Sequence, residues 1–382
     1  MIERTQIERP SFIHLIHELF EIHSVCAILG PRQCGKTTLA RLYANQYNVG
    51  EVHYFDLEHP KDLDSLSSPA LVLEPLNGLI IIDEIQRRPE LFPYLRYLSD
   101  YSNKKFLILG SASRDLIQQS SETLAGRISY IELTPLRLSE SVEFKRHWER
   151  GGFPKSYLAS SDKNSQRWRE DYITTFLERD LANIGFPMNP QLMRKLWMMI
   201  AHYHGQIVNY SELGRSLDLT DKTIKRYLEI LEGTFMIRML QPWHENLKKR
   251  QIKSPKIYVR DSGLLHTLLD ITPSTLITHP KVGASWEGYA LEEVIRKLQS
   301  GNEQVYFWRT ETGTELDLLV IRGDKRYGFE FKFSDAPQIT SSMRTAMEDL
   351  KLDGITVINP GTHSYKKDDA FTIVGLERFI LT

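Results

Sequence analysis

The hydrophobic pattern of the first 150 residues changes period repeatedly, and each change marks an element. Val25-Cys26-Ala27-Ile28-Leu29 is an unbroken apolar run of strand length, which predicts a strand buried on both faces. Thr38-Leu39-Ala40-Arg41-Leu42-Tyr43-Ala44 follows with the spacing of a helix. Further apolar runs predict strands at 51–57, 78–82, 105–109 and 128–133, with a helix near 91–99. Strands alternating with helices in this way predict an α/β domain on a parallel sheet over residues 1–150.

The pattern then turns helical over 151–275. Leu213, Leu217, Ile224, Leu228 and Leu231 form one spaced apolar face, broken by Leu219-Thr220-Asp221. This predicts a helix-turn-helix whose second helix starts near Thr220. The apolar segments at 234–237 and 256–259 pair as wing strands in this reading. Residues 283–382 predict a third, smaller α/β domain with the order helix, three strands, helix, strand.

The candidate chemistry begins in the turn after the first strand. Gly30-Pro31-Arg32-Gln33-Cys34-Gly35-Lys36-Thr37 fits G-x-x-x-x-G-K-[ST] between a strand and a helix. In that context the backbone N–H groups wrap a triphosphate, Lys36 reaches the β- and γ-phosphates, and the Thr37 hydroxyl holds Mg²⁺. Thr38 completes the loop set. The strand 78–82 ends in Asp83 and Glu84; Asp83 is expected beside Mg²⁺, and Glu84 as the base that polarises the attacking water. Ser111, after the strand 105–109, is placed to sense the γ-phosphate. Arg127 is read either as a guanidinium donated to a neighbouring subunit's γ-phosphate, with Arg114 in reserve, or as a local ion-pair partner. A thiol at a helix N-terminus, such as Cys34, has a lowered pKa and can block the loop when oxidised; the plainer alternative is a tolerated small residue.

Composition adds limits. The 382 residues carry a net charge of −1, so nucleic-acid affinity must come from local clusters. Two are visible: Lys222, Lys225 and Arg226 on the second helix of the helix-turn-helix, and Lys248, Lys249, Arg250 and Lys253 between the wing strands. Both read as DNA phosphate contacts, with solvated lysines around a protein-contact module as the alternative. The only cysteines, Cys26 and Cys34, suit a reducing cytoplasm. No apolar run approaches a membrane span.

Gly30-Pro31-Arg32-Gln33-Cys34-Gly35-Lys36-Thr37-Thr38-Leu39, Asp83-Glu84-Ile85-Gln86 and Leu124-Ala125-Gly126-Arg127 with Leu133-Thr134-Pro135-Leu136 resemble a widespread prokaryotic family of AAA+-type ATPases. Gly151-Gly152-Phe153-Pro154 and 176–181 carry the resemblance onward. It implies ATP, Mg²⁺ and a homo-oligomer, with a hexamer suggested by the family. In the third domain, Asp317, Glu330 and Lys332 on adjacent strands and Glu287 on the preceding helix resemble the PD-(D/E)XK nucleases, including archaeal Holliday-junction resolvases. That resemblance implies catalysis by Asp317, Glu330 and Lys332, with Mg²⁺ held by Asp317, Glu330 and Glu287. One departure stands out: Leu316, not proline, precedes Asp317. The whole reads as an ATP-hydrolysing, DNA-binding protein that remodels or processes DNA, branched DNA included. The alternative is a nucleotide-driven switch for a protein partner, with a non-cleaving nuclease-like scaffold and Gly-Gly-Phe-Pro as a hinge or a plain loop.

Overall fold

The computed structural model describes residues 7–47, 50–111, 124–141, 143–183, 186, 188–245 and 251–382. The chain forms two compact units, Met1–Leu136 with Gly233–Phe235, and Arg137–Glu232 with Met236–Thr382. The first break therefore falls after Leu136, not near residue 150. The reason is the helix Phe144–Arg150, whose Trp148 is buried among Trp286 and Tyr289 of the second unit. Arg114 lies outside the described residues, as do Lys248, Lys249 and Arg250.

In the first unit, β1 (Val25–Leu29), β2 (Val52–Asp56), β3 (Leu79–Asp83), β4 (Lys105–Gly110) and β5 (Ile128–Glu132) form one sheet. Its order is β2-β3-β4-β1-β5, and every pair is parallel. The apolar runs follow from burial on both faces. Val25, Ala27 and Leu29 join the helix Leu91–Tyr101 on one side. Cys26 and Ile28 join the helices Pro10–Ile22 and Lys36–Gln46 on the other. This is a P-loop ATPase type of α/β fold, and parallel sheets of this kind place ligands beyond the C-terminal ends of their strands.

The second unit holds two sheets. Its helical part runs in the order helix Pro190–His202, β6 (Gln206–Ile207), helix Tyr210–Leu217, helix Asp221–Gly233, β7 (Ile237–Leu240) and β8 (Lys256–Val259). The three strands are antiparallel in the order β6-β8-β7. Asn209 caps the first helix of the expected helix-turn-helix, and Asp218 turns the chain in a left-handed conformation at its end.

The third expected domain is a mixed six-stranded sheet packed within the same unit. Its strands are β9 (Val305–Arg309), β10 (Glu315–Arg322), β11 (Lys325–Phe331), β12 (Gly354–Asn359), β13 (Ser364–Lys366) and β14 (Phe371–Gly375). They run β13-β14-β12-β11-β10-β9. The helix Val282–Leu298 packs on one face through Trp286, Leu291 and Val294, and the helix Ser341–Asp349 on the other through Met343 and Ala346. The expected element order is present, followed by β13, β14 and a last helix, Leu376–Leu381.

Gly151-Gly152-Phe153-Pro154 is a lock rather than a hinge. Gly151 has φ 75°, and a Cβ there would stand 2.2 Å from Asp261 Oδ1. The Asp261 carboxylate accepts from Gly152 N–H at 2.8 Å and from Leu264 N–H at 2.9 Å, joining this turn to the helix Ser262–Leu268. Phe153 is buried against Tyr172. Gly151→Ala is expected to cost about 2 kcal/mol or more through strain and the clash, read as a lower melting temperature. An unchanged melting temperature would show that the close approach to Asp261 is not needed.

Candidate functional site

The C-terminal edge of the parallel sheet gathers residues from three strands. The chain leaves β1 into the glycine loop, where Gly30 approaches β5 so closely that a Cβ would stand 2.2 Å from Leu133 O. Gly35, at φ 104°, opens the helix Lys36–Gln46. Pro31, Arg32, Gln33 and Cys34 form the turn between them, with Gln33 left-handed at φ 60° and Arg32 paired with Glu58. The buried Lys36 ammonium donates to the carbonyl oxygens of Gly30 and Pro31, both at 3.0 Å. Thr38 follows on the first turn of the helix.

β3 delivers Asp83 to the same edge. The Thr37 hydroxyl donates to Asp83 Oδ2 at 2.6 Å, and so does the Tyr54 hydroxyl. Burial, with Asp83 next to it, raises the Tyr54 pKa and keeps the phenol a donor. Hydroxyl and carboxylate oxygens so close together are the hard donor set that suits Mg²⁺. Glu84 is held in a left-handed backbone conformation, φ 54°. Its Oε2 accepts from Ser111 Oγ at 3.0 Å and from Gln86 Nε2, and Gln86 Nε2 also donates to Ser111 Oγ at 3.0 Å. Ser111, at the end of β4, thus contacts the expected base. Tyr54 and Gln86 were not singled out as site residues from sequence, though Gln86 lies inside Asp-Glu-Ile-Gln and Tyr54 is mid-strand on β2.

At two positions the structure shows the plainer of the two alternatives. Arg127 is engaged inside its own unit: its guanidinium meets both Asp100 oxygens, at 2.5 and 3.0 Å, and donates to Ala125 O at 3.1 Å. Cys34 is fully buried, and burial pushes its thiol up, not down. The reactive-thiol reading therefore fails, and Cys34 is a small core residue.

On the second unit, Lys222, Lys225, Arg226 and Lys253 are exposed. Lys256 closes the same basic run but is buried, with its side chain 3% exposed. Alternation along β8 turns Lys256 and Tyr258 to one side, where they meet the acids of the six-stranded sheet.

Those acids converge as the spacing predicts, with one addition. A cavity of about 560 Å³ is lined by Lys256, Glu287, Glu315, Asp317, Glu330 and Lys332, among others. A β-bulge between Leu316 and Leu319 inserts one extra residue into β10; bulges re-aim side chains beside functional sites. Asp317 Oδ2 accepts from Phe331 N–H at 3.1 Å and lies 3.5 Å from Lys332 Nζ, which in turn lies 2.6 Å from Glu330 Oε2. Lys256 Nζ pairs with Glu315, lies 3.3 Å from Glu287 Oε1 and 3.7 Å from Asp317 Oδ1. Tyr258 donates to Glu287 Oε1 at 2.7 Å.

Burial dominates the electrostatics of this cluster. It pushes the Glu330 carboxyl up to about 8; the neighbouring Asp317 charge adds to the push and Lys332 opposes it. Burial also works against the Asp317 charge, but Lys256 and Lys332 outweigh it and hold Asp317 below the usual range. Glu287 is raised by burial, with Lys256 opposing. Among the described residues, no three Asp, Glu, His or Cys side chains are grouped so as to hold a metal ion. With the ammonium groups of Lys256 and Lys332 already among its carboxylates, this second site does not fit Mg²⁺ as it stands.

A model of the AAA domain family matches residues 23–142. Two domains of unknown function match 141–275 (DUF8612) and 282–379 (DUF4143). Uncharacterized proteins of Mycobacterium tuberculosis (Rv2008c) and Mycobacterium bovis (Mb2031c) are each 46% identical over 98% of this chain and 85% of theirs. Among solved structures, the Walker-type ATPase PABY2304 of Pyrococcus abyssi is 19% identical, covering 69% of this chain and 96% of its own, with a TM-score of 0.49.

Glu330 makes a pH prediction. Its folded pKa, about 8, lies above the ordinary 4.5, so the native state holds a proton that the unfolded chain has lost. Stability from this group is full below about 4.5 and is lost as pH rises toward 8. Glu330→Gln removes that loss, so its melting temperature relative to wild type should climb across this window and then level. Parallel melting curves for the two proteins would rule out the raised Glu330 pKa.

Proposed function

We propose that this chain, which carries an AAA domain over residues 23–142 and belongs to one family with the uncharacterized mycobacterial proteins, hydrolyses ATP and couples turnover to binding and processing DNA. The observation that carries the reading is the convergence of Lys36, Thr37, Asp83, Glu84 and Ser111 at one edge of the parallel sheet. Mg²⁺, when bound with ATP, offsets charge on the phosphates; Thr37 and Asp83 would hold it. Lys36 exchanges the Gly30 and Pro31 carbonyls for phosphate oxygens. Glu84, positioned by Ser111 and Gln86, takes the proton of the attacking water.

The helix-strand-helix-helix-strand-strand order of 190–259 supports a winged helix. Lys222, Lys225 and Arg226 on its second turn-flanking helix, with Lys253, are suited to duplex phosphates. Asp317, Glu330, Lys332 and Glu287 around one cavity support a PD-(D/E)XK-like domain, and hence DNA as the shared target of both parts. A homo-oligomer belongs to the same proposal: the exposed Arg127–Asp100 pair is readily exchanged for a neighbour's γ-phosphate. The second reading, a nucleotide switch with a non-cleaving scaffold, is favoured by one observation, the Lys256 ammonium among the acids.

Glu84→Gln should bind ATP normally and lose hydrolysis by about 10²–10³-fold; wild-type turnover would remove Glu84 from the mechanism. Hydrolysis should also rise when duplex, single-stranded or four-way-junction DNA is added to the wild type. Turnover indifferent to every DNA would move the weight to the switch. Mixing Arg127→Ala with Lys36→Ala protein should restore part of the hydrolysis that neither has alone, and no recovery would argue against a shared site.

A further inference from the structure

The acid cavity of the second unit contains more basic groups than the motif that defines it requires. Lys332 is the lysine of Glu-x-Lys and lies beside Glu330. Lys256 comes from a different sheet and makes three carboxylate contacts. We propose that Lys256 is the cation of this site: its ammonium stands where a divalent ion would bridge Asp317 and Glu287, and Mg²⁺ or Mn²⁺ enters only when Lys256 is withdrawn. This rests on the nuclease-like reading of the domain.

Distances carry the argument. Divalent ions of this class sit about 2.0–2.2 Å from their oxygen ligands. Asp317 Oδ1 and Glu287 Oε1 both face Nζ, at 3.7 and 3.3 Å. An ion bound to those two oxygens on the side they turn toward Nζ would stand beside the ammonium, cation against cation. The lysine cannot step aside cheaply. β8 is paired on both edges, to β6 and β7, and the ammonium lies 5.7 Å from the Phe307 ring centroid.

Charge pairing agrees. Glu287, Glu315, Asp317 and Glu330 face Lys256, Lys332 and Arg309, the last 3.2 Å from Glu315 Oε2. Each of these carboxylates already has a basic partner within 4 Å, so an entering divalent ion meets no free carboxylate. Removing Lys256 takes from Glu287 the only one of these ammonium contacts it has and frees oxygens on two elements.

The test is Mn²⁺ binding to nucleotide-free, full-length protein, by calorimetry and by loss of the free Mn²⁺ spin-resonance signal. An Asp83→Asn background removes the carboxylate of the nucleotide site. Expected is no saturable site to about 1 mM, the weak end of divalent binding. Lys256→Met should gain one site, which Asp317→Asn removes again, while Lys256→Arg should gain none. A wild-type site abolished by Asp317→Asn would overturn the proposal, and so would a folded Lys256→Met protein without a site. The wild-type titration needs no variant to fold. If Lys256→Met is unstable, Lys256→Gln, which keeps a hydrogen-bond donor among the acids, carries the same measurement. DNA cleavage is scored separately: metal bound by Lys256→Met without cleavage of any DNA would sink the nuclease reading and leave the cation assignment standing.

Discussion

The second unit depends on the burial of one ammonium group. Lys256 is taken out of water almost completely, which is costly unless its charge is met by well-placed partners. Glu287, Glu315 and Asp317 meet it. These acids belong to the helix Val282–Leu298 and to β10, while Lys256 belongs to the small antiparallel sheet. The pairing therefore fixes two layers of the unit against each other. Breaking such a pair from one side leaves uncompensated buried charge, in general about 3–5 kcal/mol. Nearby, Arg238, Arg260 and Arg296 meet Glu292 in the same manner. Burial opposes the Glu292 charge, but those guanidiniums outweigh it and hold the carboxyl far below its usual range. Ion pairs thus line the seam between β7, β8 and the helix Val282–Leu298.

The nucleotide site handles its lysine differently. Lys36 donates to neutral carbonyl oxygens, which bind an ammonium more weakly than carboxylates do. A phosphate therefore wins the exchange without the protein unfolding any pair. Asp83 is likewise held by two hydroxyl donors, from Thr37 and Tyr54, which an incoming cation can displace. One site is set for exchange and the other is set against it, although both are built from lysine and carboxylates at the ends of strands.

Much of this was legible in the sequence where the signal is local. The glycine loop, the carboxylates after β3, the helix-turn-helix and the element order of 283–382 all depend on residues within a few turns of each other. The remainder depends on pairings far along the chain. Asp317 was expected on a strand, and the bulge beside it depends on register against β9. Lys256 follows the basic cluster closely in sequence, and only the pairing of β8 with β6 and β7 turns it inward. Gly151 was open between hinge and loop until Asp261, more than a hundred residues later, filled the space a side chain would need. Tyr54 reached the site because β2 lies next to β3 in register, with Tyr54 opposite Ile81.

The position of Lys256 along the chain gives its pairing a further meaning. Lys253, exposed and suited to a phosphate, precedes it by three residues on the same segment, with Pro255 between them. The two lysines are nevertheless held differently. Lys253 lies on an exposed stretch ahead of β8, whereas Lys256 opens a strand paired on both edges and meets three carboxylates. Pro255 fixes the backbone angle between them, so the exposed lysine can change partners while the buried one keeps its own.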